Sequence, residues 1–80
     1  MSLRIIIKAD QIAQWITQRH GTPARRRGSD TDVRVLFGEN TVEYEPISTD
    51  ELLETMKFHN LVMLVDQEPG KTHHKIYRHS

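Results

Sequence analysis

Ile47 to Val65 is the stretch that most narrows what this chain can become. Ser48 and Glu51 have the spacing of a capping box, in which a hydroxyl and a carboxylate each satisfy a backbone N–H at a helix start. Ile47 and Leu52 stand where a hydrophobic staple would close over that start. Asp50 and Glu51 suit the positive end of the helix dipole, and Lys57 and His59 suit the negative end. Leu52, Leu53 and Met56 supply an apolar stripe, and Asn60 can take the left-handed position that closes a helix. The spacing predicts a helix over 48–59. Leu61–Val65 follows at once as an unbroken apolar run, the pattern of a strand covered on both faces.

The other elements are shorter. Ile5-Ile6-Ile7 is β-branched and favours an extended segment. Asp10 offers an N-cap, and Ile12, Ala13, Trp15 and Ile16 fall on one face of a helix predicted at about 10–20. Gly21 fits the residue after the helix, and Pro23 forbids continuation. Thr22 to Thr31 reads as a flexible Arg-rich loop, residues 22–31, built of Gly, Pro, Ser and Asp around consecutive arginines. Val33, Val35 and Phe37 alternate with Arg34 and Leu36, a strand with one apolar face. Gly38-Glu39-Asn40 can turn the chain, and Val42 and Tyr44 alternate with Glu43 and Glu45 until Pro46 ends the strand or marks an edge. These two strands read as a hairpin. Glu68-Pro69-Gly70-Lys71 is a turn, and His74–Arg78 returns as a last strand beside Leu61–Val65.

The expected fold is one α+β domain over residues 1–80, in the order α-β-β-α-β-β. Two helices would pack on one face of a mainly antiparallel four-stranded sheet. Leu36, Val62 and Leu64 would point to the opposite face and make an apolar patch suited to a dimer or a protein partner.

Composition sets bounds. A chain of 80 residues buries roughly 60% of its unfolded surface, enough to fold alone with a modest margin. It has no cysteine, hence no disulfide framework and no thiolate metal site, which fits a reducing compartment. No apolar run approaches the ~20 residues of a membrane helix or the ~7–15 of a signal peptide core, so the expected address is the cytoplasm. The formal net charge of zero conceals segregation: +5 over residues 1–29, −8 over 30–70 and +3 over 71–80. Such asymmetry favours a charged partner.

Arg25-Arg26-Arg27, with Arg19 close by, is the sharpest chemical signal. Guanidiniums on a mobile loop can neutralise phosphates, each worth about 0.9 in the salt slope on duplex DNA. The competing reading is a solvated basic loop facing the acidic middle of the same chain. Trp15 shares a stripe with Ile12 and Ile16 and belongs to the core. His73 and His74 alternate faces on a strand, so they do not aim at one metal ion; no metal and no other cofactor is expected. Glu43 and Glu45 share a solvent-facing side. Asp66, Glu68 and Lys71 resemble the acids and lysine of metal nucleases, but Pro69-Gly70 breaks the spacing. Ser29 lacks a base that the sequence reveals, and Ser48 is a cap. No catalytic residue is expected.

In order along the chain stand Ile12-Ala13-Gln14-Trp15, Arg19-His20-Gly21-Thr22-Pro23-Ala24, the strand Val33–Phe37, Ile47-Ser48-Thr49-Asp50-Glu51-Leu52-Leu53, and Leu61–Val65 with Asp66-Gln67. Read together over about residues 10–77, they resemble a family of small uncharacterised bacterial proteins often labelled 1,4-alpha-glucan branching enzyme. His20 stands where that family has the first of two glycines, Thr49 where it has a tryptophan, and Leu52 and Leu53 where it has phenylalanines. A branching enzyme needs a barrel of about 250 residues and paired carboxylates around the sugar bond. The resemblance therefore implies a fold and not that activity.

The expected function is a small non-catalytic binding module that contacts nucleic acid or another polyanion through Arg19, Arg25, Arg26 and Arg27. The alternative is a protein-interaction or homodimeric regulatory module that uses Leu36, Val62 and Leu64, or the acidic surface of Glu43, Glu45, Asp50 and Glu54. Neither a membrane nor a small-molecule ligand is expected as partner.

Overall fold

A computed structural model describes residues 2–39 and 42–79. The elements in chain order are β1 (Leu3–Ile6), α1 (Ala9–Gln18), β2 (Thr22–Arg26), β3 (Val33–Leu36), β4 (Tyr44–Pro46), α2 (Thr49–His59), β5 (Leu61–Asp66) and β6 (His74–Arg78). The class is α+β, but the sheet differs from the one expected. Two antiparallel three-stranded sheets, β1-β5-β6 and β3-β2-β4, take the place of a single four-stranded one.

The difference arises at residues 22–31. Thr22–Arg26 is not loop but the central strand of the second sheet, with Ala24 fully buried. It lies between β3 and β4, so those two strands do not form the expected hairpin. Proline, alanine and arginine are poor strand formers by composition, and here pairing on both sides overrides propensity. Pro23 is tolerated because it sits at the end of the β4 ladder, where its carbonyl accepts the Ile47 N–H at 2.9 Å. Asn40 of the expected turn lies outside the described residues; Gly38 before it has φ +89°.

Both helices share one core with the two sheets. Ile6, Met63 and Val65 from the first sheet meet Ile12, Trp15 and Ile16 of α1, Leu52 and Met56 of α2, and Val33 and Val35 of β3. A smaller cluster of Ala24, Leu36 and Tyr44 lies on the other side of β2 and β3, as strand alternation requires. In α2 the Ser48 Oγ accepts the Glu51 N–H at 3.0 Å, and Asn60 closes the helix at φ 55°, ψ 46°. In α1 the N-cap is Lys8, not Asp10, which instead occupies the first turn near the positive dipole end.

The end of α1 explains a glycine and a histidine together. His20, at φ 57°, takes the left-handed position, and the His20 and Gly21 N–H groups return to the Thr17 and Ile16 carbonyls in a Schellman motif. Gly21 is needed for space: a Cβ there would lie 2.4 Å from Val35 Cγ1 and 2.9 Å from Phe37.

The two sheets meet where β3 faces β6, and no backbone ladder joins them. The Val35 N–H donates instead to His74 Nε2 at 3.2 Å, while His74 Nδ1 lies 3.0 Å from the Thr72 carbonyl. An N–H can only donate, so Nε2 must carry a lone pair and the proton sits on Nδ1. Trp15 and Phe37 pack against the ring, each with its centroid 5.7 Å away. Burial pushes the His74 pKa down, and the Thr72 carbonyl opposes this in part.

His20→Gly relieves left-handed strain and should raise stability by about 1 kcal/mol; Gly21→Ala should lower it by about 1–3 kcal/mol by overpacking. Thermal unfolding checks both signs. Below the ordinary imidazole pKa of about 6.5 the unfolded chain takes the His74 proton first. Stability should therefore fall as pH drops from 7.5 to 5, and the loss should level off once the folded imidazole is itself protonated. His74→Phe should flatten that dependence and cost about 1–3 kcal/mol at pH 7 by stranding the Val35 N–H.

Candidate functional site

The four arginines expected to act together are separated by the fold. Strand alternation sends Arg25 toward α2 and Arg26 to the opposite face. Arg25 Nη2 donates to Thr55 Oγ1 at 3.2 Å and lies 3.9 Å from Glu51, while its Nε is buried with no partner among the described residues. Arg26 lies 3.7 Å from Asp32. Arg27 lies 3.6 Å from Glu45 and donates from Nε to the Val42 carbonyl at 3.0 Å. Each of these ion pairs is worth at most about 1 kcal/mol at an exposed surface. Their effect is on the local field: each guanidinium of the run has a carboxylate of the same molecule beside it.

Arg19 has a different task. It stacks on Trp15 at 4.6 Å and donates to the carbonyls of Lys71 at 2.7 Å, Glu68 at 3.1 Å and Asp66 at 3.2 Å. Trp15 Nε1 donates to the same Asp66 carbonyl at 3.0 Å. Together they cleat the β5–β6 turn onto α1. The buried Asp66 carboxylate accepts the Glu68 N–H at 3.0 Å, which is the leading cause of its lowered pKa, with burial opposing. In the same turn the Lys71 N–H donates to the Glu68 carbonyl, with Gly70 at φ 78° after Pro69. The Asp66, Glu68 and Lys71 set thus builds a turn.

The other candidates are also placed. Leu36 and Val62 are buried, and Leu64 is half-buried opposite Ile5. Burial withdraws the first two from any exposed apolar patch. Glu45 pairs with Arg27, and Glu43 is exposed and accepts the Arg27 N–H through its carbonyl. Tyr44, its pKa raised first by burial, donates to Asp32 at 2.9 Å beneath the Arg34 guanidinium. Among the described residues no three His, Asp or Glu side chains gather closely enough to hold a metal, and no helix is long and apolar enough to cross a membrane.

The residue that the sequence reading passed over is Phe58. It follows Met56 by two positions, about 200° around the helix, so it points away from the apolar stripe. It is 82% exposed, edge-on to His59 with centroids 4.9 Å apart. On one side opens a groove of about 770 Å³ lined by Arg25, Asp30, Glu54, Thr55, Lys57, Phe58 and His59. A second groove, of about 360 Å³ and lined mainly by apolar side chains including Ile7, Ile12, Leu53 and Leu61, shares Glu54 and Lys57 with the first. An aromatic set against its own helix stripe was the available signal.

No family model, curated protein or solved structure matches this chain.

Arg19→Ala should lower stability by about 2 kcal/mol through loss of charge-assisted bonds to the turn carbonyls, and Arg19→Lys should recover only part of it because an ammonium cannot fork. Chemical denaturation of the three proteins measures this.

Proposed function

We propose that this protein is a non-catalytic protein-interaction module whose contact face is the outward side of α2, anchored by Phe58. The carrying observation is the 82% exposure of a large aromatic that lines a groove, on a helix whose apolar stripe is already turned to the core. Binding hot spots combine such an anchor with a charged rim, and Glu54, Lys57 and Arg25 supply the rim. The partner is a protein surface with an apolar recess for the ring.

Two features favour this reading over the polyanion one and over catalysis. Arg25, Arg26 and Arg27 each face a carboxylate of the same molecule, and Arg19 is committed to backbone carbonyls. The groups with displaced pKa values, Tyr44, Asp66 and His74, are each held in structural bonds, and none lines the larger groove. Both His74 ring nitrogens are engaged, which leaves no site for proton transfer.

A photo-crosslinking residue at position 58 and another at the exposed Thr17 of α1 test this in cells. A discrete protein adduct at 58, absent at 17, is expected; Phe58→Ala should leave stability within about 0.5 kcal/mol, as for an exposed position. Fluorescence anisotropy with single-stranded and duplex nucleic acid should show nothing tighter than the ~10⁻⁴ M of non-specific contact. Absence of an adduct at 58, or tight nucleic-acid binding lost on replacing Arg25, Arg26 and Arg27 by alanine, would overturn the reading.

A further inference from the structure

Two three-stranded sheets have four outer strands, β1, β6, β3 and β4, and the fold guards three of them. β6 and β3 face each other across His74. β4 is three residues long and carries Pro46, which offers no donor. β1 has no proline and, among the described residues, no facing strand on its outer side. The Gln67 N–H donates to the Ser2 carbonyl at 2.7 Å, which puts Ser2, Arg4 and Ile6 in the hydrogen-bonded pairs with β5. By alternation the N–H and C=O groups of Leu3 and Ile5 point the other way, over the open edge. Their side chains are 50% and 54% exposed, and Ile7 just beyond the strand is 66% exposed.

We propose that β1 is a self-association edge, to which a second copy adds its own β1 antiparallel, with Ile5 opposite Ile5 of the second copy. Charge selects the occupant and the register. The chain is formally neutral, so two copies approach without long-range repulsion. Pairing centred on Arg4 sets two guanidiniums against each other, which is unfavourable between strands. Pairing centred on Ile6 leaves Leu3 without a partner. Centred on Ile5, the pairing matches Leu3 with Ile7 and Arg4 with Ile6, keeps donors against acceptors, and is the same from either side, as a two-fold contact must be.

Size sets the strength. Persistent interfaces bury about 1,200 Å² or more, and a strand edge of this length offers less. The contact is therefore a weak, reversible dimer. It uses a surface separate from the α2 face and stands or falls independently of it.

Sedimentation equilibrium on the full chain from about 10 µM to about 1 mM reads the association directly. Wild type should shift from monomer to dimer, and Ile5→Lys or Leu3→Lys, each checked for folding by circular dichroism, should weaken the dimer at least ~10-fold. Cysteine-free wild type allows a second test. Opposed Cα atoms in such a pair lie about 5.5 Å apart, within disulfide reach. Ile5→Cys should then cross-link under mild oxidation at least ~10 times faster than Thr17→Cys. A wild type still monomeric at the highest concentration overturns the proposal, whether the edge is empty or holds a foreign strand. So does a dimer indifferent to folded edge variants, or equal cross-linking at the two positions.

Discussion

An imidazole lone pair bridges the two sheets of this molecule at the edge of their shared core. His74 Nε2 accepts the Val35 N–H where β3 meets β6, doing with a side chain what a backbone carbonyl does in a continuous ladder. Trp15 and Phe37 close over the ring, so the seam is also part of the main core. With this junction in place, two short sheets bury their inner faces on the same pair of helices. The same junction covers the edges of β6 and β3, whereas β1 has no facing strand among the described residues. The arrangement carries a pH dependence in its chemistry, because a protonated ring has no lone pair to offer.

Charge segregation along the chain acquires an internal explanation. The basic first third supplies β2 and the end of α1; the acidic middle supplies β4, the start of α2 and the Asp32 region. Folding sets Arg25 by Glu51, Arg26 by Asp32 and Arg27 by Glu45. A sequence that reads as bipolar therefore folds into local neutrality across these contacts. Large apolar side chains are also exposed, at Phe58 and along Leu3, Ile5 and Ile7.

The parts of the fold legible in the sequence are those specified by local chemistry. Ser48, Asn60 and the stripe through Leu52 and Met56 fixed α2, and Leu61–Val65 read as a covered strand becomes the centre of the first sheet. The Pro69-Gly70 turn and the return of His74–Arg78 were visible for the same reason. Strand β2 was hidden because its residues are turn and loop formers, and only pairing on both sides makes them a strand. His74 was hidden because its partner is 39 positions distant, beyond any local spacing rule. The placement of the arginine run was not legible from composition: three adjacent charges look like one patch, but a strand sends alternate side chains to opposite faces. Gly21 and His20 show a subtler limit: the glycine is needed for space against Val35 and Phe37, while the left-handed position falls to His20.

The seam can be observed atom by atom. In ¹⁵N-labelled protein at neutral pH, a hydrogen bond from Val35 to His74 transmits a scalar coupling between the Val35 amide nitrogen and His74 Nε2, and the ring nitrogens report which one holds the proton. The structure predicts a resolved coupling and an Nδ1-protonated ring, with both features lost when His74 is protonated in acid. No coupling together with an Nε2-protonated ring at neutral pH would contradict it, since the hydrogen bond from β3 to β6 would then be absent.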